Sequence, residues 1–243
     1  MTPVDVLYED ADLLVVDKPA GLVVHPSYKH PGGTLLDALM AREPAWLPDT
    51  RPSLVGRLDK QTSGLVLVAK HARAHAALQH ILASREAEKI YMAIVRGTPP
   101  LSGTIDLPLT HDPIDRRRRI VAEGGAPSAT EFECLAAGVC AHGPVAVLRC
   151  RLRTGRRHQI RVHLAASGWP IVGDAVYGEA IEGVTRHALH AWRLAFRHPS
   201  TGARVEVEAP PPQDFCSLLY SCFADTSSGR SASAFFQFAK KRS

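Results

Sequence analysis

The sequence predicts an α+β protein in which a mixed, mainly antiparallel β-sheet is flanked by helices and loops. Many short apolar segments have the pattern of strands, whereas few have the spacing of apolar residues that is typical of a helix. Turn residues separate these segments at short intervals, and no internal repeat or long linker is visible. We therefore expect residues 1–223 to form a single domain and the Ser-rich tail, residues 224–243, to be loosely ordered.

The first half of the chain contains several strand signals and one helix signal. Two apolar segments flank an acidic turn, and a continuous apolar run after a Ser-Gly turn is typical of a strand buried on both faces. Apolar residues recur at helical spacing over Ala72–Ala83, which predicts an amphipathic helix. The predicted extended segments of this half are Val4–Tyr8, Leu13–Pro19, Gly21–Pro26, Leu65–Ala69 and Lys89–Val95.

The second half contains a strand with two chemically different faces. Residues Val145–Arg153 alternate, so that Arg149, Arg151 and Arg153 share one face while apolar residues share the other. This alternation predicts a row of three guanidinium groups opposite a core-facing side. The remaining predicted elements are a helix over Arg157–Ser167 that ends at Gly168 and a hairpin formed by Ala188–Phe196 and Ala203–Ala209.

Composition excludes several classes of protein. With 243 residues, 45% of them hydrophobic and 22% charged, the chain is neither fibrous nor wholly disordered. Its apolar runs fall far short of the roughly 20 residues that a spanning helix needs. Acidic residues occupy the positions where a signal peptide would be apolar, so we expect a soluble, cytoplasmic protein without membrane contact. Five scattered cysteines form no Cys-x-x-Cys pair, and we expect them to be reduced.

The distribution of positive charge is more informative than its sum. Lys and Arg total 29 against 24 acidic residues, for a net charge of +5. Arginines are concentrated in the run Arg116–Arg119 and in the segment from Arg149 to Arg161. Such clusters suit bidentate contacts to phosphates, although a solvated surface without a ligand has the same composition.

The segment Gly56–Gly64 is the most informative on chemistry. Asp59 lies in a turn beside a predicted buried strand, where loops of a rigid scaffold often carry reactive groups. Taken alone, the charged residues of this turn are equally typical of a surface ion pair. The segment contains neither a Gly-x-Ser-x-Gly elbow nor a phosphate-binding Gly-rich fingerprint.

Two histidines in the segment from Arg153 to His163 raise the question of a metal site. On a helix, His158 and His163 point about 140° apart, so both cannot reach one ion. No His-Glu-x-x-His motif occurs, and we therefore predict no metal site.

Together these segments resemble the RluA-type pseudouridine synthases, which isomerise uridine to pseudouridine in RNA. The resemblance extends from about Val6 to about Pro212, and five motifs occur in the order of the family. These motifs are Asp17–Pro26, Arg57–Asp59 with Thr62–Gly64, Lys89–Gly97, Thr154–His163 with Pro170–Asp174, and Leu189–Ala191 with the C-terminal hairpin.

The resemblance implies a role for each matching residue. Asp59 is the catalytic carboxylate, Tyr91 stacks on the extruded base, and Arg161 pairs with the carboxylate. Arg57 fills the space that the base vacates. The remaining residues that the resemblance and the charge pattern place at the substrate are Arg153, Arg156, Arg157 and His158. The reaction has no redox step, so no cofactor is expected, and the partner is ribosomal or transfer RNA, bound by a monomer.

Two departures from the family and two alternative functions accompany this interpretation. Gly56 stands where the RluA type usually has His, and the residues before Val4 are too few for the S4-type RNA-binding domain that many relatives carry, so we expect none here. One alternative is an RNA-binding chaperone on the same fold that has lost catalysis, against which the joint presence of Asp59, Tyr91 and Arg161 argues. The other is a metal-dependent RNA hydrolase, which the absence of a metal-ligand pattern argues against.

Overall fold

The computed structural model of the protein describes residues 3–26, 28, 30–42, 51–84, 86–140 and 143–223. The strands are β1 (Asp5–Glu9), β2 (Leu13–Lys18), β3 (Ser53–Val55), β4 (Ser63–Ala69), β5 (Glu88–Arg96), β6 (Ser102–Asp106), β7 (Leu109–His111), β8 (Arg119–Val121), β9 (Ala129–Cys140), β10 (Gly143–Leu152), β11 (Leu189–Arg197) and β12 (Arg204–Glu208). The helices are α1 (Leu35–Met40), α2 (Ala72–Ala83), α3 (Gln159–Ala166) and α4 (Gln213–Phe223).

The chain divides into two compact units. Unit one comprises Met1–Lys89 and Ala191–Ala209, and unit two comprises Ile90–His190 and Pro210–Ser243. No helix in the described ranges is long and apolar enough to span a membrane.

Unit one contains the strand order β1-β2-β4-β11-β12. The β1–β2, β2–β4 and β11–β12 pairs are antiparallel, and the short β3 also pairs antiparallel with β4. Every residue of β4 is buried, as its continuous apolar sequence predicts. Gly64, the second residue of this strand, has φ +109°, and a Cβ placed there would lie 2.2 Å from the carbonyl oxygen of Ala191. Only glycine permits this close approach of two backbones.

Helix α2 covers one face of this sheet. Its N-terminus is capped by His71, whose Nδ1 accepts the backbone N–H of Ala74. Ala74 and Leu78 point into a core that is shared with apolar side chains of β2, β4, β11 and β12. The helix begins and ends at the predicted residues. It could be predicted because its apolar positions recur every three or four residues.

Unit two contains the antiparallel strand order β5-β10-β9-β6, a separate β7–β8 hairpin, and helices α3 and α4. The core face of β10 includes Leu148, Cys150 and Leu152, as the alternation predicts. A β-bulge between Val147 and Leu148 shifts the pairing with β9. The α+β class and the mainly antiparallel sheet are therefore confirmed.

Several elements differ from the sequence-based expectation. Gly21–Pro26 forms no strand, since the carbonyls of Val23 and Val24 accept hydrogen bonds from the first residues of α1 instead. The predicted helix over Arg157–Ser167 is shorter, because α3 starts at Gln159, after His158 in a left-handed conformation. The predicted tail, residues 224–243, lies outside the described residues.

Candidate active site

Asp59 lies in the loop between β3 and β4 of unit one. The loop closes on itself, because the Thr62 N–H donates to the Asp59 carbonyl at 3.1 Å. Leu58 anchors it in the core, whereas the Asp59 side chain is only half-buried. The loop begins at Gly56, whose φ of +90° is a conformation that glycine adopts without strain. This loop therefore presents a carboxylate at the surface of a rigid sheet.

A fully buried lysine joins this loop to the first motif. The Lys18 ammonium donates to the carbonyls of Pro19, Leu22 and Lys60 at 2.8, 3.0 and 3.2 Å. The Gly21 N–H donates to the same Lys60 carbonyl at 2.8 Å. Since Lys60 directly follows Asp59, these bonds hold the backbone at the carboxylate. No role was predicted for Lys18, although it lies inside the first motif, Asp17–Pro26.

Arg57, two residues before Asp59, is exposed and lies close enough to His25 to influence it. Burial and then the positive charge of Arg57 lower the pKa of His25 below its ordinary value. The imidazole is therefore neutral near pH 7, and Arg57 is the charged group at this side of the loop.

In unit two, the segment from Arg153 to Arg161 is organised by one buried glutamine. The Gln159 Oε1 accepts the Thr154 hydroxyl at 2.7 Å and the Arg156 N–H at 3.0 Å. Its Nε2 donates to the Ala129 carbonyl and the Thr130 hydroxyl, both at 3.0 Å. These bonds fix the turn that presents Arg156, which is exposed, and Arg157, which is half-buried.

Arg161 on α3 forms a buried, bidentate ion pair with Asp174. Its Nε and one terminal nitrogen donate to the two carboxylate oxygens at 2.7 and 2.8 Å, and the residues are 5% and 1% exposed. Burial raises the pKa of Asp174, but the hydrogen bonds and charge of Arg161 outweigh this, so that the pKa lies below its ordinary value. Asp174 thus stays ionised and orients the guanidinium. Asp174 belongs to a motif of the family, but its pairing with Arg161 was not predicted from the sequence.

Tyr177 connects Arg161 with the β7–β8 hairpin. Its ring lies 5.0 Å from the Arg161 guanidinium and 5.4 Å from that of Arg118, distances typical of cation–π contacts. Its hydroxyl accepts the Arg119 backbone N–H at 2.8 Å and lies 2.7 Å from His158 Nδ1. His158 has φ 59°, a strained left-handed conformation for a residue with a side chain, and strain of this kind is concentrated at functional sites. No sequence pattern indicated Tyr177.

Of the three arginines predicted to share one strand face, Arg149 and Arg151 lie on β10 and Arg153 directly follows its end. Two of the three are neutralised by ion pairs. Arg149 pairs with Glu133, and Arg153 pairs with Glu131 at 2.6 Å, both glutamates being on β9. Arg151 lies between them, half-buried. Tyr91 is half-buried on β5, where it pairs in register with Cys150 of β10.

The two histidines considered as metal ligands have other partners. Both ring nitrogens of buried His163 are hydrogen-bonded at 3.0 Å, to the Thr130 hydroxyl and the Leu107 carbonyl. In the part of the chain that the structure describes, no group of three or more His, Cys, Asp or Glu side chains suits a metal ion. Of the predicted site residues, Arg57 and Asp59 lie in unit one. Those in unit two are Tyr91, Arg153, Arg156, Arg157, His158 and Arg161.

Comparison with known proteins defines the class as RNA-modifying enzymes. Residues 12–166 match the family described as RNA pseudouridylate synthase, a range that contains Asp59, Tyr91 and Arg161. The chain belongs to this family and is an RNA uridine isomerase.

Individual relatives agree with this assignment. The chain is 41% identical over 238 residues to "Ribosomal large subunit pseudouridine synthase D" of Xanthomonas campestris, covering 92% of this chain and 71% of that protein. It is 47% identical over 207 residues to an "Uncharacterized RNA pseudouridine synthase" of Chloroflexus aurantiacus, covering 84% of this chain and 64% of that protein. The solved structure of "Human RNA Pseudouridylate Synthase Domain Containing 1" is 30% identical, with a TM-score of 0.69 and 87% of each chain covered.

Proposed function

We propose that this enzyme converts uridine to pseudouridine in RNA of the large ribosomal subunit, with Asp59 as the catalytic carboxylate. The observation that carries the proposal is the loop of Asp59, which is braced by buried Lys18 and closed by the Thr62 hydrogen bond. A half-buried carboxylate on a fixed backbone suits attack at one defined atom. The choice of RNA is supported by the names of relatives such as that of Xanthomonas campestris.

The reaction assigns a task to each site residue. The N1–C1′ glycosidic bond breaks, the base turns, and C5 bonds to C1′. C5 then loses its proton and N1 gains one, so there is no net oxidation or reduction. Asp59 either attacks C1′ or removes a proton to form a glycal. By resemblance to the family, Tyr91 stacks on the base, Arg57 fills the vacated space, and Arg161 is the basic partner of the catalytic carboxylate.

The remaining basic residues are proposed to bind the RNA backbone. Arg156 and Arg157 are the stronger candidates, because no carboxylate within the described segments pairs with either. Arg153 must release Glu131 before it binds a phosphate. His158 lies beside them at the start of α3. Contacts of this kind position RNA without reading its sequence.

The assay for this function is tritium release from 5-tritiated uridine in a large-subunit RNA transcript. We expect wild-type protein to release tritium and Asp59→Asn to release none, while its RNA affinity stays within several-fold because phosphate contacts dominate binding. Asp5→Asn, at an exposed position of the same unit, is the matched control and is expected to keep full activity. Appreciable pseudouridine formed by Asp59→Asn would remove Asp59 from its role.

The same experiment tests the alternative function. A chaperone without catalysis binds the transcript and releases no tritium in any variant. A transfer RNA transcript, tested in parallel, shows whether the large-subunit RNA is preferred. We also propose that residues 1–223 act as one catalytic domain and that the enzyme is a cytoplasmic monomer. Light scattering of the purified chain tests the oligomeric state, and cell fractionation tests the location.

A further inference from the structure

The β7–β8 hairpin of unit two carries an aliphatic side chain in water. Ile114 lies in its turn and is 95% exposed, although burial of an isoleucine side chain stabilises a protein by about 1.5–3 kcal/mol. Few large hydrophobic residues in the described ranges are as exposed as Ile114. Among them, only Ile114 lies next to a run of arginines, Arg116–Arg119.

The turn that exposes Ile114 is held by hydrogen bonds. Asp112 Oδ1 accepts the N–H groups of Ile114 and Asp115 at 2.8 and 3.1 Å. Asp115 in turn accepts the Arg117 N–H through Oδ1 at 3.0 Å, and its carbonyl accepts the Arg118 N–H at 2.8 Å. Ile114 is therefore presented by a preorganised turn, so that little conformational entropy remains to be lost when it binds a partner.

The root of the hairpin is fixed to the site residues of unit two. Tyr177 contacts Arg118 through its ring and the Arg119 backbone through its hydroxyl. The same side chain contacts His158 and Arg161, as described above. The exposed tip and the start of α3 thus belong to one connected set of contacts.

The charge around the tip determines the kind of partner. Arg117 is neutralised by Asp115, but Arg116 is exposed and has no carboxylate partner in the described part of the chain. Arg118 lies 4.0 Å from Asp112 and over the Tyr177 ring. An apolar tip flanked by guanidinium groups matches proteins that insert an aliphatic wedge between stacked bases while cations contact the flanking phosphates.

We propose that the β7–β8 hairpin is an RNA wedge, in which Ile114 enters between two stacked bases of the substrate RNA and Arg116 contacts a neighbouring phosphate. This inference rests on the proposed function for its RNA substrate. Opening one base step removes part of the stacking that a target uridine must lose before it can leave the helix. The wedge would therefore lower the free energy needed to extrude the base.

The test replaces Ile114 with Ser and measures both binding and base stacking. The transcript is footprinted with dimethyl sulfate to find bases that become reactive when wild-type protein binds, and 2-aminopurine is then placed at that step. Wild-type protein is expected to raise the 2-aminopurine fluorescence, Ile114→Leu to retain the rise, and Ile114→Ser to lose it. Affinity of Ile114→Ser should fall by about tenfold, as for loss of one stacking contact.

Three controls make the outcome specific. Leu101→Ser, at an 82% exposed leucine outside the arginine run, is expected to behave as wild type. The salt dependence of RNA binding should be unchanged in Ile114→Ser, because no charge is lost. An unchanged melting temperature is expected as well, since Ile114 makes little contact with the core.

The failure of the wedge and the failure of the proposed function give different results. The wedge proposal is wrong if wild-type protein forms pseudouridine in the transcript but leaves its dimethyl sulfate reactivity unchanged. It is also wrong if Ile114→Ser matches wild type in fluorescence and affinity. Wild-type protein that binds the transcript and forms no pseudouridine overturns the proposed function, whatever the fluorescence shows.

Discussion

Replacing Asp174 with Asn tests whether the buried ion pair with Arg161 holds unit two together. Asn has nearly the same size but no charge, so Arg161 loses a counter-charge in a region that water does not reach. Asp174 also accepts the backbone N–H groups of Val176 and Tyr177 at 3.1 and 3.2 Å, which an amide oxygen retains. Breaking a buried ion pair by removing one partner costs about 3–5 kcal/mol, and we expect Asp174→Asn to lose stability in this range.

Urea denaturation followed by circular dichroism gives the free energy of unfolding for this comparison. Glu133→Gln is the matched control, since it removes one charge from the solvent-exposed pair with Arg149 and should cost less than about 1 kcal/mol. A loss below about 1 kcal/mol for Asp174→Asn would refute the reasoning. It would show that the pair contributes little beyond its own desolvation.

The pKa of Asp174 determines how the difference in free energy of unfolding between wild type and Asp174→Asn depends on pH. Its pKa in the folded protein lies below the ordinary value, because Arg161 outweighs the effect of burial. Stability from the ionised group is fully present above the unfolded pKa, about 3.9. It is lost as the pH falls through the lower, folded pKa. The difference between wild type and Asp174→Asn should therefore be constant from pH 7 to about pH 5 and shrink in stronger acid.

Four further substitutions test other parts of the site. Lys18→Met leaves three carbonyls without their buried donor, and kcat should fall by about 100-fold through misplacement of the loop that carries Asp59, while RNA affinity is retained. Gly56→His places a residue with a side chain at φ +90° and should lower the free energy of unfolding by about 1–3 kcal/mol. This loss is larger than that expected for an exposed substitution at a residue with negative φ. Arg156→Gln should reduce the salt slope of RNA binding by about 0.7, whereas Arg153→Gln, which frees Glu131, should change it less.

Much of the fold could be predicted because apolar periodicity decides local structure. Helix α2 was predicted to the residue, and β4 follows from its continuous apolar sequence. Helix α4 was missed although Phe215, Leu219 and Cys222 recur at helical spacing, so a signal was present. The short α1, with six residues, has too few turns to show a period.

The site was predicted less completely, because its partners come from distant parts of the chain. Arg149 was expected to be available for phosphates, but the register of β10 against β9 places Glu133 opposite it. That register depends on two strands and a bulge, which no single segment reveals. The pairing of Arg161 with Asp174 likewise joins α3 to a loop that follows it, and only the folded chain brings them together.

The ion pairs change what the arginine content means for RNA binding. An excess of 29 basic over 24 acidic residues is modest, and several arginines of unit two are neutralised by neighbouring carboxylates. The arginines without a carboxylate partner in the described ranges include Arg116 in the β7–β8 turn and Arg156 and Arg157 before α3. Tyr177 links both groups through the hairpin root and His158. We therefore expect nonspecific RNA affinity to be concentrated at these two places, because the local arrangement of charge, rather than the net charge, decides where a polyanion is attracted to unit two.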